Sequence, residues 1–184
     1  MPESIFAASL VFLLPACAAN GSLQELTLSP DQTVYTLGSG DELKITVYGE
    51  DLLTGNYTVN GQGKIAFPLL GDVDAQGNSL PELEKSLTSL LADGFVNDPS
   101  VVVEVANFRP YYILGEVNKP GEFPFADGLT IYSAVARAGG FTYRADQKRV
   151  YIRHKNGQEE TLYRLDGATP IQPGDTVRIA ERMF

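Results

Sequence analysis

The sequence predicts an α+β protein made of two small units in succession, each a sheet with one helix. Three observations carry this reading. Apolar residues alternate with period two in several short runs, Gly, Pro and Asn punctuate those runs, and two further segments place their apolar residues at helical spacing. With 184 residues, 43% of them hydrophobic, the chain can bury one moderate core or two small ones and is not compositionally disordered.

The first strand reads Leu43, Ile45 and Val47 on one face and Lys44, Thr46 and Tyr48 on the other. A turn at Gly38-Ser39-Gly40-Asp41 launches it, because both glycines tolerate positive φ and an aspartate carboxylate accepts hydrogen bonds from backbone two residues on. Asn60-Gly61 signals a type I′ hairpin, while Gly63 is a competing position for the bend, so the register stays open. Pro68-Leu69-Leu70-Gly71-Asp72 forms the next corner. Ser79-Leu80-Pro81-Glu82 is a capping-box signature, and Leu80, Leu83, Leu87, Leu90 and Leu91 follow at helical spacing to cover a sheet until Gly94 stops the helix. After a turn at Asn97-Asp98-Pro99, Val101, Val103 and Val105 close the first unit as a strand.

Asn107-Phe108-Arg109-Pro110 is the junction, since Pro110 holds Arg109 extended. The second unit begins with a strand over Tyr111 to Val117, a turn at Asn118-Lys119-Pro120-Gly121, and Phe123 and Phe125 on one strand face. Thr130 caps a helix carrying Ile131, Ala134, Val135 and Ala138, and Gly139-Gly140 ends it. Val150 to Arg153, Thr161 to Leu165 and Thr176 to Ala180 supply the remaining strands. The spacing Leu37-x-x-Gly40-Asp41-x-Leu43-Lys44-Ile45 returns as Ile171-x-x-Gly174-Asp175-x-Val177-Arg178-Ile179, which reads as one turn chemistry used twice, without duplication of a whole domain.

A net charge of -9 with 14 basic residues and no basic run excludes a nucleic-acid partner, which needs clustered Lys and Arg on the phosphates. Residues Ile5 to Leu14 are an apolar run too short for a bilayer-spanning helix and suited to a signal-peptide core. Leu14-Pro15-Ala16-Cys17 resembles a bacterial lipobox, so Cys17 is the candidate lipidation site, with an ordinary cleaved signal or a disordered leader as the alternatives. Glu3 without Lys or Arg ahead of the apolar run, and Pro15, depart from that pattern. The leader is then 1–16, and 17–32 is a tether.

No catalytic residue is assigned. His154, the one histidine, sits between Arg153 and Lys155 beside the turn Asn156-Gly157 and reads as a solvated strand-end residue. One His and one Cys are too few for a zinc site, so neither a metal nor a cofactor is expected. Asp41 with Glu42, or Asp72 with Asp74, would be the carboxylate pairs of a glycosidase, but turn chemistry explains both. Gly38-Ser39-Gly40 precedes a strand, whereas a dinucleotide site opens a helix. Tyr111, Tyr112, Phe123, Phe125, Tyr132, Phe141, Tyr143 and Tyr151 crowd the second unit, mostly as core, and no ligand-binding residue is assigned.

The stretch Tyr35-Thr36-Leu37-Gly38-Ser39-Gly40-Asp41 to Val47, followed by Val59-Asn60-Gly61 through Pro68-Leu69-Leu70-Gly71-Asp72-Val73, resembles the Wza-type polysaccharide export family of Gram-negative bacteria. Ile113-Leu114-Gly115-Glu116-Val117-Asn118-Lys119-Pro120-Gly121 and Ala138-Gly139-Gly140-Phe141 resemble the SLBB module that follows in that family. The resemblance implies a polysaccharide-export domain over 33–107 and a β-grasp-like SLBB domain over 108–184. It further implies a non-catalytic periplasmic lipoprotein held at the inner leaflet of the outer membrane, forming part of an oligomeric ring that conducts polymer. The implied partners are the polysaccharide, an inner-membrane polysaccharide co-polymerase and further copies of the chain. Family members continue into more β-grasp modules and an amphipathic helix, and this sequence stops at Phe184, so a separate pore protein is expected in the outer membrane. The competing readings are a monomeric periplasmic glycan-binding module and a glycan-trimming enzyme.

Overall fold

The computed structural model describes residues 35–182 other than 156, 158 and 168. The leader 1–16, Cys17 with the tether 17–32, Asn156 of the expected Asn156-Gly157 turn, and Phe184 lie outside the described residues. The chain is α+β, as the sequence predicts.

In the first unit, β1 (Glu42–Val47) lies between β2 (Gly55–Thr58) and β5 (Val101–Asn107) in an antiparallel sheet, and β3 (Lys64–Phe67) pairs with β4 (Gly71–Asp74) as a separate hairpin. Leu43, Ile45 and Val47 are buried, as the alternation requires, and face the helix α1 (Leu80–Ala92). Leu83, Leu87 and Leu91 are fully buried along one stripe of α1, and each contributes about 1.5–3 kcal/mol of apolar burial. Leu90 is 41% exposed and does not cover the sheet, since it sits one residue off that stripe. At the helix start the Glu82 carboxylate accepts from both the amide and the hydroxyl of Ser79, each at 2.8 Å, and these bonds hold its pKa below the ordinary range.

Gly63, not Gly61, takes positive φ at the first bend, because the Asn60 side chain accepts from the amides of Gln62 and Lys64 and leaves the left-handed position to the third loop residue. The strand after the junction is shorter than the sequence predicts. β6 (Tyr111–Gly115) stops where Gly115 adopts φ +85, and Val117 makes a single bridge to Phe141. Phe125 lies beyond β7 (Gly121–Phe123), yet both phenylalanines pack on the core. β8 starts five residues before the expected Val150, at Ala145, and runs to Arg153. With β9 (Thr161–Arg164) and β10 (Thr176–Glu181), the second sheet has the order β7-β6-β10-β8-β9. Its first and last strands, β6 and β10, are central and parallel, a pairing that no local sequence pattern carries. Helix α2 (Ile131–Arg137) buries Ile131, Ala134 and Val135, with Thr130 as its cap.

The buried apolar residues form two clusters with no shared member: Leu37 to Val103 in the first unit, and Tyr111 to Ile179 in the second.

Candidate functional site

The two copies of the repeated spacing fold into the same turn. In the first, the Asp41 amide donates to the Gly38 carbonyl at 3.1 Å, its carboxylate accepts from the Gly38 amide at 2.7 Å, and Gly40 holds φ +96. In the second, the Asp175 amide donates to the Gln172 carbonyl at 3.1 Å, its carboxylate accepts from the Gln172 amide at 2.9 Å, and Gly174 holds φ +86. Each carboxylate therefore reaches three residues back, not two residues on, and is buried in the turn it closes. A side chain at either positive-φ position would be strained, which accounts for both glycines.

The turns face each other across Arg109, the residue before Pro110. Its amide donates to Asp41 Oδ1 at 3.0 Å and its Nη1 to Asp41 Oδ2 at 2.9 Å, while Nε donates to the Pro173 carbonyl at 2.9 Å. Tyr35 Oη donates to the same Asp41 oxygen at 2.5 Å, and burial together with that carboxylate holds the phenol well above its ordinary pKa. Asp41 is 0% exposed and the Arg109 side chain 13%, so this ion pair is desolvated, and losing either partner would strand a buried charge. Packing is tight as well. A Cβ on Gly38 would lie 2.4 Å from Arg109 Nη1.

Around this latch, Lys155 Nζ donates to the Ser39 carbonyl at 2.6 Å, and Tyr35, Phe108 and Phe125 make two successive edge-to-face ring contacts. The two units thus meet through a buried ion pair, one cation on a carbonyl and an aromatic chain. Between them opens a cleft of about 410 Å³, lined by Ser39, Arg109, Tyr112, Arg153, Lys155 and Thr176 among others.

His154 is not simply solvated. Its Nδ1 lies 2.9 Å from Asp175 Oδ1, and that carboxylate raises the imidazole pKa above its ordinary value against the opposing effect of burial. Asp41 is committed to Arg109, whereas its sequence neighbour Glu42 accepts from Asn107 at 2.5 Å on the opposite strand face. Asp72 and Asp74 are exposed on β4, with Lys64 3.3 Å from Asp74. Neither expected pair converges on a cleft. Among the described residues, no three His, Cys, Asp or Glu side chains are placed to hold a metal ion. Tyr111 is buried, Phe123, Phe125 and Phe141 pack on the core, and Tyr112, Tyr132 and Tyr143 are exposed.

Sequence reading passed over Arg109, Arg153 and Lys155 because they form no run. The fold gathers them, and the repeated Gly-Asp spacing was the signal that two matched turns would meet. It also divides the charge. Residues 35–107 hold eleven acidic and three basic side chains, a formal -8, and residues 108–182 hold nine acidic and eleven basic, a formal +2.

Residues 29–106 match the family described as polysaccharide biosynthesis/export protein, and residues 110–166 match the SLBB domain. The exopolysaccharide production protein ExoF of Rhizobium meliloti (strain 1021) is 33% identical over 153 residues, which cover 77% of this chain and 35% of ExoF. The polysialic acid transport protein KpsD of Escherichia coli is 22% identical over 158 residues, covering 80% of this chain and 28% of KpsD. The matched region therefore spans about a third of the length of these curated relatives.

Proposed function

The chain belongs to the polysaccharide export family, carrying an export domain followed by an SLBB domain, and on that premise we propose that it is a non-catalytic component of an exopolysaccharide or capsule export complex. In this reading it is a periplasmic lipoprotein, anchored through Cys17 to the inner leaflet of the outer membrane. Its leader is 1–16, its tether 17–32, its export domain 33–107 and its SLBB domain 108–184. Copies assemble into a ring that forms part of the conduit for the polymer. Such a ring uses a heterologous interface, one face of each subunit docking on a different face of the next. The ring meets an inner-membrane co-polymerase.

The observation that carries the proposal is the order of the two family matches along one chain. The site chemistry supports it. The buried carboxylate of Asp41 is spent on holding the two modules together, and neither expected carboxylate pair is set across a cleft for hydrolysis.

The test is the mass of the mature protein purified in detergent, by native mass spectrometry with light scattering. The expected result is an acylated N-terminal Cys17 and a closed oligomer. An unmodified monomer at high concentration, also in the presence of the co-polymerase, would overturn the lipoprotein conduit and leave a glycan-binding module in its place.

A further inference from the structure

The cleft between the modules carries an imbalance that the interface itself does not need. Three cations line it, and one is accounted for: Arg109 is paired with Asp41. Arg153 and Lys155 have no carboxylate at salt-bridge distance among the described residues. Among the described residues Arg153 hydrogen-bonds only the Thr176 hydroxyl, at 3.5 Å, and its acidic neighbour Glu160 is already held by Arg178. Asp175 is engaged by His154 and the Gln172 amide.

Arg109 adds a third donor. Its Nε and Nη1 are used by Pro173, Tyr35 and Asp41, its Nη2 makes no hydrogen bond among the described residues, and the residue itself lines the cleft. Burial first, and the Arg109 guanidinium second, hold the Lys155 ammonium below the ordinary lysine value, against the smaller opposing pull of the Asp41 carboxylate that Arg109 already pairs. Like charges held together at a concave site favour an anion between them. Tyr112, 40% exposed, closes one side and brings an aromatic ring beside the cations, with its hydroxyl turned to Glu122.

We propose that the inter-module cleft is a binding site for a carboxylate-bearing sugar unit, with Arg153, Lys155 and the free edge of Arg109 holding the carboxylate and Tyr112 stacking on the ring. The choice of a sugar over another oxyanion rests on the polysaccharide-export reading; the cationic cleft does not. The geometry suits the task. A guanidinium binds a carboxylate through paired donors, and the Asp41 latch fixes Arg109 before any ligand arrives. The cleft's about 410 Å³ lies within the usual range for small-ligand pockets.

The experiment is isothermal titration of the purified full chain with trigalacturonate, its neutral methyl ester and inorganic phosphate. Trigalacturonate is expected to bind, more weakly as salt rises, and the ester, which keeps the ring and loses the charge, is expected not to bind. Arg153→Gln and Lys155→Gln are each expected to weaken binding by roughly tenfold, the scale of one lost charge-assisted bond, whereas Lys119→Gln, at a remote exposed cation, leaves it unchanged. Circular dichroism of each variant confirms that it is folded. Equal binding of the ester, no binding of trigalacturonate, or binding indifferent to both cleft variants would overturn the proposal. Full displacement of trigalacturonate by equimolar phosphate would overturn the sugar assignment and leave a plain oxyanion pocket. These outcomes are separate from the acylation and subunit number that test the export reading.

Discussion

At the scale of single residues, two side chains make opposite forecasts. On folding His154 donates a hydrogen bond to the Asp175 carboxylate, so its folded pKa is raised above an unfolded value of about 6.5. A group raised on folding stabilises fully below the unfolded value, and that stability is lost as pH climbs through the folded one. As the chain's one histidine, it gives an NMR ring-proton titration without overlap in the untagged protein. The midpoint is expected above 6.5, and Asp175→Asn is expected to bring it down, since burial then acts unopposed. Tyr111 is the converse case. Its Oη is buried and meets no partner at full hydrogen-bond geometry among the described residues, the Arg137 guanidinium giving it only a loose polar contact. Removing an unsatisfied hydroxyl while keeping the ring relieves a desolvation cost, so Tyr111→Phe is expected to hold or raise stability, by up to about 1 kcal/mol in urea denaturation. Alanine there would instead empty the core.

At the scale of elements, the parallel pair β6 and β10 depends on one glycine. Gly115 has φ +85, and a Cβ there would lie 2.0 Å from the Ile179 carbonyl oxygen. Backbone cannot yield as a flexible side chain does, so Gly115→Ala is expected to cost at least about 2–3 kcal/mol and to lower the thermal midpoint of the chain. What could be read from the sequence follows the same division between local and distant causes. Both helices were legible because Ser79 with Glu82, and Thr130 with Ile131, Ala134 and Val135, are signals spanning a few residues. Strand ends were less so. The halt of β6 at Gly115 is set by Ile179 on a strand that arrives over sixty residues later, and the five-residue extension of β8 to Ala145 is set by pairing with Glu181. Asn60-Gly61 misdirects for a local reason, because the Asn60 side chain captures two amides and moves the positive φ to Gly63.

At the scale of the whole molecule, two separate cores are joined by few contacts, and the Asp41–Arg109 pair is the most deeply buried ion pair among the described residues. Arg109→Ala leaves that carboxylate buried and unpaired, at a cost of about 3–5 kcal/mol. Calorimetry is expected to show one cooperative transition for the native chain and two for the variant, the lower belonging to the export domain that contains Asp41. A single transition merely shifted down would mean that the modules are coupled by other contacts. This joint was the least legible part of the candidate site, because its partners are 68 residues apart and their charges lie in no run. The unequal division of charge between the modules has a consequence of its own. A body with -8 on one half and +2 on the other is a dipole as well as an anion. Near a negatively charged surface it experiences a torque that turns the SLBB half inward and the export half away, so long-range forces select its orientation before any contact is made.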